Sequence, residues 1–192
     1  MSTKASEIIK KSIRESSEAI SKLDEKSIEE IAQKIIGCYK AGGKVMFCGN
    51  GGSASQAQHL AAELVCKFRL KRNAYDAMSL TTDTSILTAQ SNDYGFDSIF
   101  ERQVEAHGKK GDILVGLSTS GNSPNVVKAM ELAKKLGVYT IGIIGNNREC
   151  NIAKIADKVL FIESSDTPRI QEAHITAGHI ICDLVEKGMT HG

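Results

Sequence analysis

Ile9, Ile13, Ile20 and Leu23 keep a helical spacing through an otherwise polar opening segment, and Ile28, Ile31, Ile35 and Ile36 repeat it before Gly42-Gly43. Two amphipathic helices are therefore predicted at the start. Short β-like runs then alternate with helical patterns: KVMFC at 44–48, AMSL at 77–80, DILVGLS at 112–118, VYTIGII at 138–144 and KVLFI at 158–162. The alternation predicts βαβ units and an α/β fold: a three-layer αβα sandwich with a mainly parallel five-stranded sheet covered by helices on both faces. Helical patterns run from Ala54 to Phe68, from Pro124 to Leu136 and from Pro168 to about Lys187, the last with Pro in its first turn and Gly188 as its stop signal.

No internal repeat, low-complexity stretch or linker interrupts the 192 residues, so a single domain over 1–192 is expected. Residues 1–41 read as a helical N-terminal extension for oligomerisation and 42–188 as the ligand-binding α/β core. The leading isoleucine stripes exceed what a small sheet needs to cover itself. Lys and Arg number 24 against 23 Asp and Glu, a net charge of +1. No overall field favours nucleic acid or an anionic membrane, which leaves a small-molecule or protein partner. The five cysteines, Cys38, Cys48, Cys66, Cys150 and Cys182, form no C-x-x-C pair and read as reduced core thiols. The N-terminus lacks the apolar stretch of a secretory signal, so a cytoplasmic location is expected.

Two loops carry candidate chemistry. Gly49-Asn50-Gly51-Gly52-Ser53-Ala54 follows KVMFC and precedes a helix, where glycines permit a sharp turn and free N–H groups face an anion. The same residues satisfy G-x-G-x-x-A, the dinucleotide fingerprint, but Asp83 comes about ten residues too late to be its ribose partner. A tight turn without ligand is the ordinary alternative. Ser118-Thr119-Ser120-Gly121-Asn122-Ser123-Pro124 follows DILVGLS, with four hydroxyls, Ser123 at the N-cap and Pro124 at the first helical position. One hydroxyl suffices for a cap, and four at a positive helix end suit a phosphate monoester.

On the helix after the first loop, Gln56, His59, Glu63 and Lys67 form a polar stripe beside Ala57, Leu60, Ala61, Leu64, Val65 and Phe68. His59 and Glu63 stand one turn apart, within reach of a shared proton or metal, or of each other as a plain surface pair. On the last helix Gln171, His174 and His179 interrupt the apolar pattern of Ile170, Ile175, Ala177, Ile180, Ile181 and Leu184. Core hydrogen bonding is the ordinary account for each.

Taken in order and spacing, CGNGGSASQAQHLAAEL, SNDYGF, LSTSGNS and RIQEAHITAGHIICDLVE resemble the phosphoheptose isomerases of the sugar isomerase (SIS) superfamily, over roughly residues 41–187 plus the leading helices. The resemblance implies a SIS domain of flavodoxin-like or Rossmann-like type. It also implies a homotetramer that converts sedoheptulose 7-phosphate to D-glycero-D-manno-heptose 7-phosphate, a first step toward nucleotide-activated heptose for lipopolysaccharide, capsule or glycoprotein. It places substrate contacts on Asn50, Gly51, Gly52, Ser53, Glu63, Asn92, Asp93, Ser118, Thr119, Ser120, Ser123 and Gln171, and the acid/base pair on Glu63 and His179. It implies one Zn2+ per subunit on His59, Glu63, Gln171 and His179, and no nucleotide cofactor. Lys67 stands where several members carry Arg, which keeps a charge but loses a bidentate fork. Pro168 stands where some members have a polar or acidic residue.

Ketose-to-aldose conversion moves a proton between adjacent carbons through an enediol, which suits a carboxylate and an imidazole flanking C1 and C2; a zinc polarising the carbonyl is the alternative. The chief rival reading is a non-catalytic SIS-domain regulator resembling the replication initiator-associating relative, in which the positions of Glu63 and His179 lack the acid/base pair. A nucleotide-dependent dehydrogenase leaves the hydroxyl loop unexplained. Gln171 and His179 stand eight residues apart on one helix, ~12 Å along its axis. If both serve one site, one of them must come from a neighbouring chain.

Overall fold

The computed structural model describes residues 3–190; Met1, Ser2, His191 and Gly192 lie outside the described residues. The chain opens with α1 (Thr3–Ser21) and α2 (Glu25–Lys40) and continues as β1 (Val45–Gly49), α3 (Gly52–Val65), β2 (Ala77–Ser79), α4 (Thr84–Tyr94), a short 3-10 turn (Phe96–Ser98), α5 (Ile99–His107) and β3 (Ile113–Ser118). It closes with α6 (Pro124–Lys135), β4 (Tyr139–Ile144), α7 (Asn151–Ile155), β5 (Lys158–Phe161) and α8 (Thr167–Thr190). The five strands pair in the order β2-β1-β3-β4-β5, every pair parallel. Parallel strands need crossovers, and the helices that supply them cover both faces.

Alternation along each strand sorts the core into two layers. Val45, Phe47, Ile113, Val115, Leu117, Ile141 and Ile143 face one side, where they meet α2, α3 and α8. Met46, Cys48, Leu114 and Ile144 face the other, against α5, α6 and α7. α2 contributes Ile28, Ile31, Ile35 and Ile36 to the first layer, so the leading segment builds core as well as surface. Ile20 on α1 and Leu23 in the connection after it pack inward, while Ile8, Ile9 and Ile13 on α1 are exposed. No described helix is long and apolar enough to cross a membrane.

Several sequence expectations shift. α3 starts at Gly52 and ends at Val65, leaving Lys67 and Phe68 beyond the helix and Val65 exposed. α8 runs through Gly188 to Thr190. A β-carbon on Gly188 would come within 2.5 Å of Ile36 Cδ1, so this glycine serves a close approach to α2 and stops nothing. All five cysteines are free thiols, but Cys66 is exposed.

The strand order reverses between β1 and β3, the switch point at whose carboxyl ends open α/β sheets gather ligands. The glycine loop leaves β1 there and the hydroxyl loop leaves β3 there. Their following helices, α3 and α6, go to opposite faces.

Candidate active site

Gly49 ends β1 so close to its surroundings that a β-carbon would lie 2.9 Å from the Leu117 carbonyl oxygen and from Ser53 Cβ. Gly51 then turns the chain at φ 54°, a left-handed value that glycine reaches without strain, and α3 begins. Asn50, which leads this turn, exchanges two amide hydrogen bonds with Asn125 on α6: Asn50 Nδ2 donates to Asn125 Oδ1 at 2.8 Å and Asn125 Nδ2 donates to Asn50 Oδ1 at 2.9 Å. This pair ties the two loops across the switch point. Sequence reasoning missed Asn125, whose one signal is an amide at the start of a helix face that is otherwise apolar.

In the second loop, Ser118 Oγ lies 3.0 Å from Ser123 Oγ and accepts from the Gly121 N–H at 3.1 Å. Ser120 Oγ accepts from the Asn122 N–H at 3.2 Å. Ser123 holds the N-cap position of α6, but its side chain makes no cap bond because it is turned toward Ser118. The result is a knot of hydroxyls at a helix N-terminus, with Ser118 buried and Ser120 exposed. Asp83, the displaced fingerprint carboxylate, caps α4 by accepting from the Ile86 N–H at 2.9 Å.

α3 and α8 run parallel, side by side. Gln171 lies over Gly52, Gly178 against Leu60, and His179 against His59. His59 Nε2 and His179 Nε2 are 2.9 Å apart, and Glu63 Oε1 is 3.2 Å from the same His59 nitrogen. Phe68 closes one side, its ring centroid 5.5 Å from that of His179. Partial burial and the neighbouring His59 ring hold His179 below the ordinary histidine range, against the pull of Glu63. Two imidazole nitrogens and a carboxylate oxygen lie within 4.8 Å of one another, a set that accommodates a shared proton or a cation. They fit zinc in donor type and in spacing, since bonds of ~2.0–2.2 Å put neighbouring tetrahedral ligand atoms ~3.3 Å apart.

Gln171 stands apart from this cluster. A β-carbon on Gly52 would meet its Nε2 at 2.3 Å, and its backbone carbonyl accepts from Gln56 Nε2 at 2.6 Å, so it belongs with the first turns of α3. Within one chain, then, the expected four-residue metal set splits into His59, Glu63 and His179 in one place and Gln171 in another. Asn92 and Asp93 are exposed at the end of α4, bonded to each other at 2.8 Å and to neither loop. Ser53 is buried in the first turn of α3. Thr119 lies between the sheet and the loop tip, its carbonyl oxygen against Gly145.

A parallel five-stranded sheet with a glycine loop and a hydroxyl loop at its switch point defines a class, and residues 10–145 match the family model of the SIS domain. The curated phosphoheptose isomerase of Clostridium acetobutylicum is 54% identical over 160 residues, covering 83% of this chain and 81% of that protein. The solved phosphoheptose isomerase of Francisella tularensis superposes with a TM-score of 0.89 at 33% identity, over 97% of this chain and 100% of that one. The solved enzyme of Neisseria gonorrhoeae does so with a TM-score of 0.85 at 41% identity, over 96% and 97%. The chain belongs to the phosphoheptose isomerase family of SIS-domain proteins.

Proposed function

We infer that this chain is the isomerase that interconverts sedoheptulose 7-phosphate and D-glycero-D-manno-heptose 7-phosphate, the entry to nucleotide-activated heptose. The single observation that carries the chemistry is the convergence of Glu63, His59 and His179 from two helices. The phosphate is held by the hydroxyls of Ser118, Thr119, Ser120 and Ser123 and by the N–H groups opening α6, a remote handle that fixes the sugar's orientation. The glycine loop at Asn50, Gly51, Gly52 and Ser53 brings backbone close to the chain of hydroxyls. Glu63 and His179 move protons at C1, C2 and their oxygens, so that the substrate passes through an enediol. His179, held below the ordinary histidine range, is neutral at physiological pH and able to accept a proton.

His59, Glu63 and His179 would hold a zinc ion, with Gln171 from a neighbouring copy. When bound, the ion would take up the donor atoms of Glu63 and His179 and supply Lewis-acid polarisation of the substrate carbonyl in place of their proton transfer. The non-catalytic alternative is disfavoured by the same cluster, because a regulator has no use for an acid/base pair brought within 4.8 Å.

Three features support a homotetramer with shared sites. Gln171 and His179 are separated within one chain, Asn92 and Asp93 face outward, and Ile8, Ile9, Ile13, Ile180 and Leu184 are exposed on α1 and α8. A cytoplasmic setting is supported by five free thiols. The decisive experiment follows heptose 7-phosphate formation from sedoheptulose 7-phosphate by NMR, with Glu63→Gln and His179→Ala as controls. Absence of product from the wild-type chain, with and without added zinc, would overturn the reading.

A further inference from the structure

Glu186 sits two turns beyond His179 on α8, its side chain 1% exposed. Its Oε1 accepts from the Phe68 N–H and from Arg72 Nε, each at 3.0 Å, and its Oε2 accepts from the Arg69 and Leu70 N–H groups, each at 2.7 Å. Three successive N–H groups of the non-helical stretch between α3 and β2 thus converge on one carboxylate. Arg72, its side chain 4% exposed, also donates from Nη1 to the Asn73 carbonyl oxygen and from Nη2 to the Glu63 carbonyl oxygen, both at 2.9 Å. Its guanidinium lies 3.8 Å over the Tyr75 ring.

Burying an ion pair brings little net stability, because desolvation cancels most of the attraction. Its value here lies in what the held stretch carries. The Phe68 ring closes against the His179 imidazole, and the backbone of Glu63 is fixed by the same guanidinium. From these contacts we propose that Arg72 and Glu186 are positioning residues for the isomerase: the pair locks the connection after α3 so that Phe68 and Glu63 set the geometry of the Glu63–His59–His179 cluster. Neither residue touches the reacting atoms. The proposal rests on the isomerase reading for its kinetic consequence, but its structural consequence can be measured without substrate.

The test compares Glu186→Gln, Phe68→Leu and the surface control Glu105→Gln in the full-length zinc-supplemented protein. Two quantities are read: kcat and KM with sedoheptulose 7-phosphate, and the His179 Cε1–Hε1 resonance, which feels the ring current of Phe68. Glu186→Gln keeps the shape of the side chain and removes its charge. Glu186→Gln and Phe68→Leu should each lower kcat about tenfold with KM within about twofold, because small displacements of catalytic groups act on the chemical step. Both should also move the His179 resonance, and Glu105→Gln should change neither quantity. A folded Glu186→Gln protein with wild-type kcat and an unmoved resonance overturns the proposal. Should Glu186→Gln fail to fold, Phe68→Leu decides, and wild-type values there overturn it equally. A wild-type chain that makes no heptose 7-phosphate overturns the isomerase reading instead; the resonance, read without substrate, then supports or overturns the positioning role by itself.

Discussion

Gly178 lies flat against Leu60: a β-carbon at 178 would fall 2.5 Å from Leu60 Cδ2, one residue away from the histidine that meets His59. Leu60 is itself fully packed, so it has little room to yield. Gly178→Ala should therefore push α3 and α8 apart. Overpacking costs ~1–3 kcal/mol and the helical preference of alanine over glycine returns ~1 kcal/mol, for a net loss of about 1 kcal/mol. Activity should fall much further than stability, which thermal unfolding and steady-state kinetics on one preparation will check.

The hydroxyl loop makes a different kind of prediction. Ser120→Ala and Ser123→Ala should raise KM severalfold while Lys135→Ala, an exposed change on α6, leaves it alone. Ser123→Ala also frees Ser118 from its 3.0 Å partner, so this variant should lose more than Ser120→Ala. Unchanged KM in both variants would place the phosphate elsewhere.

Acid stability should depend on His174. Burial pushes this imidazole down to about 4, opposed only by the Ile144 backbone. An unfolded histidine titrates near ~6.5, so between that pH and about 4 the unfolded chain binds a proton that the folded chain refuses. Stability at neutral pH is thus lost as pH falls through this window, by about 3 kcal/mol in all. Urea unfolding at pH 7, 5.5 and 4.5 should show that slope flattened in His174→Gln, and equal slopes in the two proteins would count against it.

Shared sites predict complementation. Mixed oligomers of inactive Gln171→Ala and His179→Ala chains should recover part of the activity, because some sites would receive both intact residues. Deleting residues 1–24, which removes α1 with its exposed isoleucines, should disperse the assembly in sedimentation analysis. A mixture that exchanges subunits yet stays inactive would mean that one chain furnishes the whole site.

The five strands and both loops were legible in the sequence because their signals are local: alternation, glycines at a turn, hydroxyls before a proline. α4 was not, since none of its residues is buried and an exposed helix leaves no apolar stripe. Gly188 was misread as a stop because a glycine near a helix end looks the same whether it caps or makes room, and the room here is for Ile36 on a distant helix. His59 and Glu63 could be paired from spacing alone. Their meeting with His179 could not, nor could Asn125, Arg72 or Glu186, whose roles depend on partners far away in the chain.

The parallel run of α3 and α8 has a consequence for how this chain can change over time. Gly52 and Gln171 are 119 residues apart, Leu60 and Gly178 118, and His59 and His179 120, so the two helices keep nearly constant step along their length. Each added or lost residue in a helix turns everything after it by ~100°. One insertion between Gln171 and His179 would swing the histidine out of phase with His59 and unseat Gly178 and Glu186 in the same stroke. Between those positions the helix can exchange letters but not alter its count, whereas the exposed turns elsewhere are free to lengthen.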